Sequence, residues 1–180
     1  MRAFLALDLP EAALAPIARL QAGLVVGKPV PEDNLHLTLA FLGDINDMQA
    51  AEIAGALSVL HLPPLELTLT GLDLFGGRRP SVLFVRAQAA GLEALHDKAA
   101  RLAREAGVTL PRERFRPHVT IARFAREMTA KDQQKLGEFL ALNATFALPP
   151  LPVATLTLYR SHLRHEGAIH EALAEATLGR

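Results

Sequence analysis

The apolar positions of this chain fall into short runs with two different periods, and turn residues separate most of them. Residues 2–8 read as a strand, which Pro10 ends. Residues 11–24 have helical spacing, with Pro10 at the first turn. Pro16 is a flaw in that helix, because an interior proline costs about 3 kcal/mol, so the helix is expected to start later or to kink there. Residues 25–34 carry Gly27, Pro29, Pro31, Asp33 and Asn34 and form a loop. Residues 35–42 are a strand stopped by Gly43 and Asp44, and Asn46 or Asp47 caps a helix that reaches about Leu60.

The second half continues in the same way. Residues 65–74 alternate apolar positions with Glu66, Thr68 and Thr70, and residues 81–87 return as the second strand of a hairpin whose turn is 75–80. Residues 92–106 have helical spacing and stop at Gly107. A charged loop over 111–117 leads into a strand at 119–124. A helix over 129–142 follows, with Thr129 as its cap. Pro149, Pro150 and Pro152 break the chain before a strand at 153–159, and a short strand or helix follows Gly167. Interleaved strands and helices of this kind make an α/β or α+β domain. The chain shows no repeat of 20–50 residues and no linker rich in Gly and Ser, so residues 1–180 are read as a single domain.

Composition narrows the function classes. Half of the 180 residues are apolar and 21% are charged, enough for a real core. Nineteen basic residues balance nineteen acidic ones, so contact with a nucleic acid is expected to be local, at one end or one nucleotide. The absence of cysteine removes disulfides, thiolate nucleophiles and Cys-based zinc sites. No run approaches the roughly 20 apolar residues of a membrane span, and residues 1–8 do not fit a signal peptide. A soluble, cytoplasmic protein is expected, with no membrane partner. A monomer is the expectation, although the sequence leaves oligomeric state open.

Two segments carry chemistry: Asn34-Leu35-His36-Leu37-Thr38-Leu39-Ala40-Phe41-Leu42-Gly43 and Arg116-Pro117-His118-Val119-Thr120-Ile121-Ala122-Arg123-Phe124. Each holds His-x-Thr inside an apolar strand. Seven histidines and ten threonines in this length give about 0.4 such pairs by chance, so the strand context counts for more than the number. On a strand, residues i and i+2 share a face, so His36 lies with Thr38 and His118 with Thr120, while Leu37 and Val119 point into a core. Two imidazoles with ordinary pKa near 6.5 can act as base and acid in an in-line attack on a cyclic phosphodiester. Threonine hydroxyls can donate to the non-bridging oxygens where charge builds, and this arrangement requires no metal or cofactor.

These motifs, with Phe4-Leu5-Ala6-Leu7 and Leu158-Tyr159-Arg160-Ser161, resemble the 2H phosphoesterase superfamily, in its branch of RNA 2′,3′-cyclic phosphodiesterases once called 2′-5′ RNA ligases. The resemblance covers most of the chain. It implies an α+β fold of two lobes, with two facing antiparallel sheets, helices on the outside and a central cleft. It implies that His36 gives a proton to the leaving 3′ oxygen and that His118 activates water, leaving a 2′-phosphate. It assigns Thr38 and Thr120 to the phosphate. The substrate would be RNA with a 2′,3′-cyclic phosphate end, or a cyclic nucleotide. Two departures bear on base recognition. Gly27-Lys28-Pro29-Val30 stands where family members often carry an aromatic residue, and His170 stands where tyrosine is frequent.

Other residues have competing readings. Arg123 is a candidate phosphate ligand, yet strict alternation from His118 puts it on the opposite face, where a salt bridge or strand-end position fits as well. Phe41 and Phe115 are candidates to stack on a base, with core packing the better reading for Phe41. Arg78 and Arg79 at a hairpin tip suit either RNA guidance or plain solvation. A zinc site from His162, His165 and His170, with Glu166 or Glu171, is disfavoured because no clear ligand spacing supports it. Gly76-Gly77 lacks the flanking residues of a phosphate loop. Two rival functions remain: end-joining of RNA through a 2′-5′ bond by the same residues, and an RNA-end or nucleotide-binding module without catalysis.

Overall fold

The computed structural model describes residues 1–112, 114–164 and 167–179. Among these, the strands are β1 (Arg2–Asp8), β2 (Lys28–Pro29), β3 (His36–Asp44), β4 (Leu65–Phe75), β5 (Val82–Gln88), β6 (His118–Arg123), β7 (Leu151–Val153), β8 (Thr155–Arg164) and β9 (Gly167–Thr177). The helices are α1 (Glu11–Ala22), α2 (Asp47–Ser58), α3 (Leu92–Glu105) and α4 (Ala130–Leu142), and a 3₁₀ turn covers Glu32–Asn34.

The fold is α+β, built on antiparallel pairs in the order β7-β4-β5-β6-β3-β1-β8-β9, with β2 beside β6. The expected two sheets are joined by hydrogen bonding into one path, and the joint is narrow. β3 meets β6 at one registered pair, Leu37 with Val119. Beyond it, β2 takes over the edge of β6, with Lys28 opposite Arg123 and Pro29 opposite Ala122. The Gln21 side chain of α1 closes this seam by donating to the carbonyls of Val30 and Ile121, at 2.8 Å each. On the other side, His96 of α3 donates from Nδ1 to the Leu39 carbonyl at 2.7 Å, where the ladder has opened. The Leu39 carbonyl, left by the parting strands, thus finds a side chain.

One face of this sheet and one stripe of each helix make a connected core. It includes Leu5, Leu37, Leu67, Leu83, Val119 and Leu158 from the strands and Ile17, Ile53, Ala99 and Phe139 from the helices. At roughly 25 cal/mol per Å² of apolar surface, this burial is the main force holding the halves together. Caps fix the helix starts where sequence placed them. Asn46 accepts from the Gln49 amide, and Thr129 accepts from the Asp132 amide, both in reciprocal capping boxes. Helix α1 starts at Glu11 and contains Pro16, so of the two expected outcomes, a later start or a kink, the later start does not occur. Two end assignments also change. Residues 153–159 fall in two strands, β7 ending at Val153 and β8 beginning at Thr155, and the segment from Gly167 is an eleven-residue strand. No helix among the described residues is long and apolar enough to cross a membrane.

Candidate active site

The pair Leu37–Val119 brings the two His-x-Thr sets together. An antiparallel pair has a local two-fold axis, so identical motifs paired at their middle residue are related by it. Extending that register by one residue in each direction sets His36 opposite Thr120 and His118 opposite Thr38. The two histidines then lie diagonally across the pair on one face. All four residues are partly exposed, whereas Leu37 and Val119 between them are fully buried.

Each imidazole is held in the same tautomer. Nδ1 of His36 lies 2.8 Å from the Asn34 carbonyl, and Nδ1 of His118 lies 2.6 Å from the Arg116 carbonyl. A carbonyl only accepts, so both Nδ1 atoms carry a proton and both Nε2 atoms keep their lone pairs. The rings rest on aromatic residues, of which Phe4 and Phe84 are buried. His36 stacks on Phe4 at 4.8 Å, and His118 meets Phe84 at 5.0 Å and Phe75 edge-on at 4.9 Å. Phe4 shares a β1 face with Ala6 and Asp8, because Leu5 and Leu7 take the core side. Residues 3–7 are all apolar in sequence, so no local pattern marks Phe4 as the residue beneath His36.

Burial pushes the proton affinity of His36 down to about 4, and the neighbouring His170 adds to the effect. Burial also lowers His118, against the Arg116 carbonyl bond that raises it. The Arg123 guanidinium lowers both, and His170 as well. A guanidinium that acts on three imidazoles marks a place where an anion would be welcome.

Arg123 acts there because of a β-bulge, which corrects the alternation argument. The register of β5 on β6 passes from Leu83–Ala122 to Phe84–Thr120, so Ile121 is an extra residue. Ile121 and Ala122 are consecutively buried, and Arg123 returns to the histidine side. Strand β3 has the same irregularity. Its register on β1 passes from Leu5–Ala40 to Ala6–Thr38, which leaves Leu39 extra. The expectation that Phe41 packs in the core therefore fails: its side chain is 57% exposed and lies 6.4 Å from Phe4. Phe115 is also committed elsewhere, stacked on His96 at 4.1 Å.

A second layer supports the His36 side. Asp8, paired in register with His36, accepts hydroxyl donors from Thr155 at 2.5 Å, Thr157 at 2.8 Å and Tyr159 at 2.6 Å. Burial and the Asp8 carboxylate both raise the Tyr159 phenol, which keeps it a donor. His170 of β9 stands edge-on to His36 at 5.3 Å and to Phe4 at 4.9 Å. The zinc reading involved His165 and Glu166, which lie outside the described residues. His162 is engaged with Glu171 at 2.7 Å, and no metal-holding group of three occurs among the described residues. Arg78 and Arg79 flank two cavities of about 250 and 230 Å³ at the β4–β5 turn, neither lined by a histidine. Gly27, the first residue of the segment that departs from the family pattern, has φ +81°, and a β-carbon there would meet the Phe124 ring at 2.5 Å.

A family model described as the 2′-5′ RNA ligase superfamily matches residues 9–164. An RNA 2′,3′-cyclic phosphodiesterase of Aquifex aeolicus is 33% identical over 162 residues, spanning 86% of this chain and 84% of its own. Its counterpart in Thermus thermophilus is 30% identical over 199 residues, spanning 99% and 90%. Among solved structures, Escherichia coli LigT complexed with 3′-AMP superposes with a TM-score of 0.76 at 26% identity, covering 99% of this chain and 98% of that one.

Proposed function

The chain belongs to the 2′-5′ RNA ligase superfamily, and from that footing we propose that it hydrolyses RNA 2′,3′-cyclic phosphodiester ends to 2′-phosphomonoesters, without a metal ion, through His36 and His118. One observation carries this reading: two His-x-Thr sets meet across the Leu37–Val119 pair, each histidine with Nδ1 bound to a carbonyl and Nε2 left open. The groove of the proposal lies between the two halves of the sheet, and the protein acts as a cytoplasmic monomer.

In the proposed reaction, Nε2 of His118 takes a proton from water as the water oxygen attacks phosphorus. The bond from phosphorus to O3′ breaks on the opposite side. Nε2 of His36, protonated at the start, gives its proton to O3′, and the phosphate remains on O2′. Proton count is conserved, and the two histidines exchange protonation states over a turnover. Thr38, Thr120 and Arg123 hold the non-bridging oxygens, where negative charge accumulates. The depressed affinity of His36 fits a donor only when an anion is present. The cyclic phosphate supplies that charge, so substrate binding itself promotes protonation of His36.

Run backwards with a 5′-hydroxyl in place of water, the same groups would form a 2′-5′ bond. The family description favours keeping this as a side activity. The deciding experiment supplies a 2′,3′-cyclic nucleotide or oligonucleotide in excess chelator and determines the phosphate position in the product. A 2′-phosphate supports the proposal. A 3′-phosphate reverses the roles of the two histidines, and tight binding without product makes the site a binding module.

A further inference from the structure

His170 packs against His36, and the proposed reaction gives it no task. Its ring is edge-on to both Phe4 and His36, with interplanar angles of 81° and 84°. A phenylalanine would make the same edge contacts. The ring nitrogens therefore need a separate account, and they differ from each other. Nδ1 is fully buried and has no hydrogen-bond partner among the described residues. Nε2 is neither bonded within the described chain nor buried.

A buried N–H without an acceptor is costlier than a buried lone pair without a donor. The proton of neutral His170 consequently belongs on Nε2, the reverse of His36 and His118. We propose that His170 is a substrate-binding residue, a neutral imidazole that donates from Nε2 to an oxygen of the bound nucleotide on the His36 side. Burial and the charge of Arg123 disfavour its protonated form, so it can stand beside His36 as a donor without adding a second positive charge. The β9 strand that carries it is tied to the His36 loop by the Asn34 side chain, which donates to the Ala168 carbonyl at 2.7 Å. His36 and His170 thus share one supporting frame, and a donor at position 170 would be held in fixed relation to the acid. This role rests on the cyclic phosphodiesterase reading, and part of its test does not.

The test compares His170→Phe with His170→Gln, whose side-chain amide nitrogen reaches about as far as the ring Nε2. In His170→Phe the orphaned nitrogen is gone and the edge contacts remain, so the melting temperature should hold or rise. With 2′,3′-cyclic AMP as probe, kcat/KM should fall about tenfold, mainly through KM, which is the size of one lost hydrogen bond. His170→Gln should recover most of it. Nitrogen-15 spectra of the wild-type imidazoles should show His170 protonated at Nε2 and the other two at Nδ1. An unchanged KM in His170→Phe, a glutamine variant as poor as phenylalanine, or a proton on Nδ1 of His170 would each overturn the assignment. If the wild-type protein opens no cyclic nucleotide, the function proposed above fails. The imidazole spectrum and the affinity of both variants for 2′-AMP, measured calorimetrically, then decide His170 by themselves.

Discussion

Leu37 and Val119 face each other as the single registered pair between β3 and β6, and both are completely buried. Each is the middle residue of a His-x-Thr set, so the pair works as a hinge pin around which two polar sets are arranged. The core holds the pin, and the face behind it is left for chemistry.

The first prediction isolates Nε2. Asparagine at position 36 or 118 keeps a donor for the carbonyl that Nδ1 now binds and removes the second nitrogen. His36→Asn and His118→Asn should each lower turnover by about 10²–10⁴-fold. The double variant should be little worse than either, since the two act as a unit. Steady-state kinetics with melting curves provide the check, and a single variant with native turnover would remove the mechanism.

The pH dependence follows from the direction of the shifts. In the free enzyme both histidines have lowered proton affinity, His36 at about 4. The base is therefore ready at lower pH, and the protonated donor is also lost at lower pH. The kcat/KM profile should peak below the ordinary histidine value of about 6.5, while the kcat profile, governed by the anion-bound complex, should peak higher. Parallel profiles of the two constants test this, and a kcat/KM optimum above pH 7 would contradict it.

The same burial has a consequence for stability. Unfolded His36 regains an affinity near 6.5, while in the folded chain it stays at about 4. Between these values the unfolded state binds more protons, so this contribution is complete above pH 6.5 and is lost as pH falls toward 4. Denaturant midpoints measured across that window should fall in the native protein and fall less steeply in His36→Asn.

Arg123 reaches the histidines by way of the bulge at Ile121. Arg123→Gln should raise KM and reduce kcat/KM by about 10–10²-fold through loss of a charged phosphate contact. It should also raise the proton affinity of His36, His118 and His170, because it removes a positive charge that lowers all three. Imidazole titrations by NMR read the second effect independently of catalysis.

Asp8 gathers three hydroxyls, and one donor, Thr157, is fully buried. Asp8→Ala leaves that hydroxyl without its acceptor and should destabilise the fold by about 1–3 kcal/mol. Asp8 also raises the proton affinity of His36, so the variant should shift the alkaline side of the kcat/KM profile further toward acid. Equilibrium unfolding and the pH profile separate the two effects.

The elements themselves were legible in the chain because local rules governed them: a short apolar run over residues 2–8, alternation over 35–39, caps at Asn46 and Thr129, and stops at Pro10 and Gly107. The His-x-Thr sets were legible for the same reason, since two-residue periodicity fixes which neighbours share a face. Alternation misplaced Arg123 and Phe41, because each follows a bulge, and a bulge arises only where a partner strand sets the register. Nor did sequence join β3 to β6, lay Phe4 and Phe84 beneath the histidines, or bring Asp8 to Tyr159 across about 150 residues. Sequence by itself determined the two His-x-Thr sets and the strand face that each histidine shares with its threonine. Only the tertiary structure decided that the two sets meet, because pairing between distant strands depends on the core closing around both at once.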